Sequence, residues 1–135
     1  DARYKPSLTQ KRLYEAKRFG KKSGAGYYDY SATAIKPEPL MDRALAEKIF
    51  LRVISMLINE SVDALYLNVA SRDDLDTAVC NGVNYPKGLL KWCDEIGADK
   101  ILNSLVTLHE IYLEERYRPS VLLRKMAASK TKFYS

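Results

Sequence analysis

Apolar residues recur with the spacing of an α-helix along most of the chain after residue 40. The longest such stretch runs from Met41 to about Val69, and one stripe of it carries Leu45, Ile49, Val53, Met56, Leu57, Ala64 and Leu67. A stripe with this spacing predicts a long amphipathic helix. Start and stop signals then predict shorter helices over about Ser71 to Gly82, Gly88 to Ile96 and Asp99 to Tyr112, and a last one from Pro119-Ser120. The pattern therefore predicts an all-α fold.

The first 40 residues hold one more predicted helix, from Gln10 to Ala16, and then the Gly-rich segment FGKKSGAGYYDYS, which starts at Phe19. Gly24-Ala25-Gly26 matches the first two glycines of a dinucleotide-binding loop, but Asp29 stands at the third glycine position. A helix precedes the segment, whereas a dinucleotide loop follows a strand. We interpret it as a flexible exit from the helix, with Gly20 as the residue that ends the helix.

A short internal repeat divides the chain. Arg3-Tyr4-Lys5-Pro6-Ser7-Leu8 returns as Arg116-Tyr117-Arg118-Pro119-Ser120-Val121, and each copy leads into a basic helical stretch and then into aromatic residues. The simplest interpretation is that residues 1–34 are the last helix and tail of an upstream repeat. Residues 35–40, with two prolines, are then a linker, and residues 41–135 form a second helical domain.

The charge is distributed unevenly. The 135-residue chain carries a net charge of +5, and residues 1–30 hold eight basic and three acidic side chains, so the remainder is formally neutral. A basic end of this kind is more often a solvated face than a nucleic-acid site. A helical interaction module whose basic N-terminal segment binds a polyanion therefore stays open as an alternative function. No stretch reaches the length of apolar sequence that spans a membrane, and we expect a cytoplasmic protein without a membrane partner.

Few residues suggest reactive chemistry. Cys80 and Cys93 lack the spacing of a metal site, and the chain has one histidine, so we expect neither a zinc site nor a disulfide. Asn59 and Glu60 interrupt the apolar face of the long helix, and we interpret them as structural polar residues. In this interpretation Glu60 holds the 82–88 loop through backbone amides, with a role as a catalytic base as the alternative.

The segment Asn81 to Gly88 is the most distinctive loop. It contains two glycines and the run Tyr85, Pro86 and Lys87, and it joins two predicted helices. Such a loop suits either a ligand channel or a shaped helix–helix connection. The residues alone leave both interpretations open.

These segments together resemble the C-terminal domain of the bacterial 3-hydroxyacyl-CoA dehydrogenases, especially members that carry two copies of it. The resemblance rests on four stretches: GKKSGAGYYDY from Gly20, LINESVDAL from Leu57, ASRDDLDTA from Ala70 and GVNYPKG from Gly82. It implies a five-helix C-terminal domain, preceded here by an extra helix and tail from the preceding repeat.

The resemblance also implies a function in fatty acid metabolism. Enzymes of this family oxidise a 3-hydroxyacyl-CoA to the 3-ketoacyl-CoA, and their NAD and catalytic His–Glu pair belong to an N-terminal Rossmann domain. We therefore expect no catalytic, cofactor-binding or metal-binding residue in this chain, and no activity of the chain alone. Its expected role is dimerisation or repeat–repeat packing and support of the acyl-CoA cleft, with residues 85–87 as a substrate-cleft or interface loop. Leu51-Arg52 stands where the family has an Asn-Arg pair beside the substrate.

Overall fold

The computed structural model describes residues 2–134, and its regular structure is helical. The α-helices are α1 (Leu8–Glu15), α2 (Arg43–Tyr66), α3 (Arg72–Val83), α4 (Leu89–Ile96), α5 (Ala98–Tyr112) and α6 (Val121–Ser129). Short 3-10 helices span Ala2–Tyr4, Lys21–Ser23 and Glu115–Tyr117. Within the described range no β-strand is formed, and the only β-type pairings are isolated bridges at Ala25. The prediction of an all-α fold, five helices preceded by one N-terminal helix, is confirmed.

The chain divides into two compact units, residues 1–42 and residues 43–135. Residues 34–42 have no regular secondary structure, in keeping with Pro37 and Pro39, which disfavour helix. The first unit contains α1 and the Gly-rich segment, and the second contains α2 to α6. The assignment of residues 1–34 to an upstream repeat, of residues 35–40 to a linker and of residues 41–135 to a second helical domain remains a prediction.

Helix α2 is the central element of the second unit and packs against α3, α4, α5 and α6. It is shorter than predicted at its C-terminus because Asn68 adopts a left-handed conformation, with φ at 56°. The Val69 N–H then bonds to the Ala64 carbonyl oxygen at 2.9 Å, which closes the helix end.

The core lies where the C-terminal half of α2 meets the other helices. Its buried members are Ile54, Ile58, Val62, Leu89, Leu90, Cys93, Ile101, Leu105 and Leu123. Each fully buried Leu or Ile contributes about 1.5–3 kcal/mol relative to an exposed one. The N-terminal half of α2 is different, because Leu45, Ile49 and Val53 remain 40–54% exposed.

The two copies of the sequence repeat have the same local structure. A 3-10 helix precedes a serine in extended conformation, Ser7 or Ser120, and a helix follows it. Lys17 and Lys130 then both adopt the left-handed conformation just beyond the helix, with φ values of 55° and 54°. The chain therefore repeats its backbone conformation as well as its sequence.

The Gly-rich segment forms a compact loop whose backbone amides bond within the loop. Gly20 N–H donates to the Ala25 carbonyl at 2.9 Å, and Gly26 N–H donates to the Tyr28 carbonyl at 2.8 Å. A Cβ on Gly26 would lie 2.8 Å from the Gly20 Cα, so two backbone segments require this glycine. Because a phosphate loop presents free amides to its ligand, this geometry favours the structural interpretation.

The prediction that Gly20 ends the first helix is wrong. Helix α1 ends at Glu15, with Ala16 as its C-cap, and Lys17 takes the left-handed conformation instead. Gly20 lies further on, at φ 96°, and precedes the 3-10 helix Lys21–Ser23. The helix also begins two residues before the predicted Gln10, because Gln10 and Ser7 form a capping box.

Candidate functional site

The start of α4 is held by a carboxylate from another helix. Asp76 of α3 is buried, and its two carboxylate oxygens accept hydrogen bonds from Leu90 N–H at 2.8 Å and Lys91 N–H at 3.1 Å. The α4 N-cap residue is Gly88, which has no side chain to cap the helix. Asp76 therefore satisfies amides that a capping side chain of α4 itself would otherwise bond.

This arrangement requires a glycine at position 88. A Cβ on Gly88 would lie 2.0 Å from the Asp76 Cγ, which is far inside van der Waals contact. The close approach of the α4 start to α3 is thus possible only without a side chain. It explains the second glycine of the loop on packing grounds.

The predicted loop residues lie at this same helix start. Tyr85 packs against the core, and its N–H bonds to the Val79 carbonyl at 3.3 Å. Lys87 is half-buried: its ammonium pairs with Glu95 of α4 and lies 5.7 Å from the centre of the Trp92 ring. Pro86 is exposed. Lys87 and Tyr85 thus bind the loop to its own domain.

The C-terminal tail closes over the same region. Phe133 N–H and Tyr134 N–H donate to the two carboxylate oxygens of Asp94, at 2.9 and 2.8 Å. The Tyr134 hydroxyl donates to Asp76 at 3.0 Å, and the Arg72 guanidinium lies 4.1 Å from the ring centre. Burial and the hydrogen bond to Asp76 raise the pKa of Tyr134. The tail, α3 and α4 form one polar network.

Asn59 connects α2 to the turn that precedes α6. It is 1% exposed, its amide nitrogen donates to the Arg118 carbonyl at 3.0 Å, and its amide oxygen accepts from Ser120 N–H at 2.7 Å. Both partners belong to the second copy of the repeated Pro-Ser motif. Asn59 thus holds this turn in the core.

Glu60, the next residue, is half-buried in α2. The side-chain hydrogen bonds described at the start of α4 come from Asp76, which the sequence analysis did not single out. The proposed role of Glu60 toward the loop therefore stays a prediction. A signal for Asp76 was present in retrospect: a helix that begins at a glycine needs a capping acceptor from elsewhere.

Arg52, next to Leu51 in α2, is held by two tyrosines. It bonds to the Tyr117 hydroxyl and to the Tyr112 hydroxyl at 3.3 Å, and its guanidinium carbon lies 4.6 Å from the Tyr112 ring centre. These hydrogen bonds, first of all the one to Tyr117, raise the pKa of Arg52. The cation is thus packed against aromatic faces, an arrangement that favours a fixed guanidinium.

Other candidate chemistry is sparse in the described part of the chain. Cys80 is half-buried, Cys93 is buried, and both are free thiols. Burial raises the pKa of Cys93 to about 12. Residues 2–134 contain no group of three or more metal-binding side chains, and no helix among them has the length and apolarity to cross a membrane.

Comparison with known proteins identifies the family of this helical domain. The family model "3-hydroxyacyl-CoA dehydrogenase, C-terminal domain" matches residues 49–132. This match covers α3 to α6, most of α2, and Asp76 and Asn59 with the backbone groups that they bond. The chain belongs to this family.

Individual relatives agree with that assignment. The chain is 51% identical over 76 residues to the 3-hydroxyadipyl-CoA dehydrogenase of Escherichia coli K12, a match that covers 56% of the chain and 16% of the relative. It is 27% identical over 148 residues to the fatty acid oxidation complex subunit alpha of Shewanella oneidensis, with 98% of the chain and 21% of the relative covered.

A solved structure extends the similarity to both units. The crystal structure of 3-hydroxybutyryl-CoA dehydrogenase from Escherichia coli K12 matches 96% of this chain and 45% of its own, with 27% identity and a TM-score of 0.75. The chain thus spans less than half the length of these proteins. The comparisons do not favour the alternative of a polyanion-binding helical module.

Proposed function

We propose that this chain is part of a longer NAD-dependent 3-hydroxyacyl-CoA dehydrogenase that converts a 3-hydroxyacyl-CoA to the 3-ketoacyl-CoA. The observation that carries the proposal is the match of residues 49–132 to the C-terminal domain of that family. Relatives named for 3-hydroxyadipyl-CoA and 3-hydroxybutyryl-CoA support acyl-CoA thioesters as the substrate class. The enzyme is expected in the cytoplasm.

Within that enzyme, the role of this chain is assembly and support of the acyl-CoA cleft. The side chains of Asp76, Asn59 and Asp94 form hydrogen bonds to backbone groups of their own domain. This is expected of residues that stabilise the fold. NAD and the catalytic pair are supplied by another part of the enzyme. The chain alone is therefore inactive.

Residues 1–34 are the last helix and tail of an upstream copy of the domain. The repeated backbone conformation around Ser7 and Ser120 supports this proposal. Tyr117 of the second copy is 4% exposed, whereas its counterpart Tyr4 is 67% exposed. An upstream bundle would cover Tyr4 as α2 and α5 cover Tyr117.

The loop of Tyr85, Pro86 and Lys87 is an interface element of the homodimer or of the two packed repeats. Lys87 is already engaged by Glu95 and Trp92, which favours a shaped connection over a substrate contact. Pro86 remains exposed for a partner surface.

Turnover assays test the proposal. The full-length protein and the 135-residue chain would each be mixed with NAD and with 3-hydroxybutyryl-CoA or 3-hydroxyadipyl-CoA, and NADH formation followed by absorbance. We expect turnover by the full-length protein and none by the chain. Turnover by the isolated chain would contradict the supporting role, and no turnover of either thioester by the full-length protein would contradict the proposed reaction.

A further inference from the structure

The helices that end the two copies of the repeat, α1 and α6, differ where α6 enters the core. The α6 residues that lie in or against the core are apolar: Leu122, Leu123 and Met126. In the register that aligns Ser7 with Ser120, their counterparts in α1 are Thr9, Gln10 and Leu13. Leu123 is fully buried, so the α1 sequence in the α6 position would place the amide of Gln10 in the core. Burial of an amide without a hydrogen-bond partner is unfavourable.

The two copies also satisfy the N–H of the aligned serine in different ways. Ser120 N–H donates to Asn59 Oδ1 at 2.7 Å, so its acceptor comes from α2. Ser7 N–H donates to Gln10 Oε1 at 3.2 Å, so α1 carries its own acceptor. In the α6 position, α1 would bring the amide oxygens of Gln10 and Asn59 to one donor. One buried acceptor would then lack a partner, a cost that α6 does not have.

We infer that α1 is excluded from the position that α6 occupies, and that it packs instead on a second helical bundle, outside this chain, that presents a hydrogen-bonding side chain to Gln10. The α1 segment has the exposure of a surface that such a partner would cover, since Pro6 and Gln10 are exposed whereas their counterparts Pro119 and Leu123 are buried.

Specific pairing matters because two copies of one motif compete for the same site. Exchange of equivalent elements produces domain-swapped or misassembled proteins. Thr9 and Gln10 make the wrong pairing unfavourable, because the cluster that contains Leu123 consists of apolar side chains from α2, α4 and α5. The inference rests on the proposed assignment of residues 1–34 to an upstream copy of the domain. Its tests measure stability and not turnover, so they can fail independently of the proposed reaction.

A chain shortened to residues 1–115 tests the exclusion. It lacks the second copy of the motif and α6 but keeps α1, so α1 has no competitor for the α6 position. We expect this chain to lose the cooperative urea transition that the fluorescence of Trp92, in α4, reports for the 135-residue chain. Thr9→Leu/Gln10→Leu gives α1 the two leucines of α6 and should restore a cooperative transition. An unsubstituted shortened chain that unfolds at the same urea concentration as the 135-residue chain would overturn the inference.

The matched control is Lys11→Leu/Arg12→Leu in the same shortened chain. These positions correspond to Arg124 and Lys125, which are exposed in α6. The control therefore adds the same two apolar side chains at positions that do not face the core, and it should restore no transition. Equal recovery by the two double variants would show that Thr9 and Gln10 do not determine the pairing.

Amide hydrogen exchange in the 135-residue chain gives a second test that does not depend on folding of the shortened chain. In Thr9→Leu/Gln10→Leu, α1 should compete with α6 and speed the exchange of α6 amides by about threefold or more, because α6 is then displaced for part of the time. The control Lys11→Leu/Arg12→Leu should leave these rates unchanged. Unchanged α6 exchange in the Thr9→Leu/Gln10→Leu variant would also overturn the inference.

The full-length protein tests the partner of Gln10. Gln10→Leu should lower the urea midpoint of the full-length protein, because a side chain of the upstream bundle loses its hydrogen bond. The same substitution should leave the Trp92 transition of the 135-residue chain nearly unchanged, since Gln10 is exposed there. A full-length midpoint that is unchanged or raised by Gln10→Leu would contradict a hydrogen-bonding partner.

Discussion

Replacing Asn59 by Ala tests the interpretation that this residue holds the Arg118–Ser120 turn against α2. The substitution removes two hydrogen bonds, of 3.0 Å to the Arg118 carbonyl and 2.7 Å from Ser120 N–H. Because Ser120 is 2% exposed and Asn59 1% exposed, water reaches the Ser120 N–H poorly, whereas Arg118 is an exposed residue. A buried polar group left unsatisfied costs about 1–3 kcal/mol and loss of a less buried hydrogen bond about 0.5–1.5 kcal/mol, so the two together predict a loss of about 1.5–4.5 kcal/mol.

Urea unfolding followed by far-UV circular dichroism measures this loss. Asn81→Ala, at an exposed position in α3, is the matched control and should change the free energy of unfolding by less than about 0.5 kcal/mol. A loss for Asn59→Ala no larger than that of the control would refute the reasoning.

A charge variant at the same position makes the geometry of the contact testable. In Asn59→Asp, the carboxylate can still accept from Ser120 N–H but faces the Arg118 carbonyl without a proton to donate. Its pKa in the folded state should therefore lie above the unfolded value, so stability should increase as pH falls and be lost as pH rises. A variant with the pH dependence of the unsubstituted chain would show that the carbonyl contact is unimportant.

Further predictions concern the helix starts and the buried thiol. Gly88→Ala should be strongly destabilising because its Cβ would lie 2.0 Å from Asp76 Cγ, and in combination with Asp76→Ala it should cost less than the two single losses added; additive losses in a double-mutant cycle would contradict this. Ser71→Ala should cost about 1 kcal/mol because the Ser71 hydroxyl accepts from an α3 amide, whereas Ser120→Ala should cost little because the Ser120 hydroxyl has no hydrogen-bond partner among residues 2–134; equal costs in urea unfolding would contradict it. Burial raises the pKa of Cys93 from 9.0 to about 12, so unfolding titrations should show stability present below pH 9 and lost toward pH 12; an equal pH slope in Cys93→Ala would contradict this origin.

The helices could be predicted from the sequence because the residues that specify them lie close together in the chain. The α2 stripe, the Ser71 cap and the Gly97 stop each depend on residues within a few positions of one another, and the structure places helix boundaries close to all of them. The internal repeat likewise predicts two equivalent helices, α1 and α6. Local periodicity and capping signals are therefore sufficient to predict the all-α fold class.

The contacts that hold the helices together were harder to predict from the sequence. Asp76 lies in an acidic stretch of α3, where it resembles a solvated helix start, and the amides that it binds are 14 and 15 residues further along the chain. The interruption of an apolar face correctly drew attention to Asn59, but its partners at residues 118 and 120 depend on tertiary packing. Gly20 was misassigned because a lysine, rather than a glycine, takes the left-handed conformation after α1.

Deleting residues 43–135 from the full-length enzyme tests most directly whether this domain supports assembly and the acyl-CoA cleft. The NAD-dependent rate with 3-hydroxybutyryl-CoA or 3-hydroxyadipyl-CoA and the particle mass by light scattering would be compared between the full-length and shortened proteins. The account predicts that the shortened protein has a lower mass than the protomer deletion alone explains and a greatly reduced rate. A shortened protein with the full rate and an unchanged oligomeric state would contradict it.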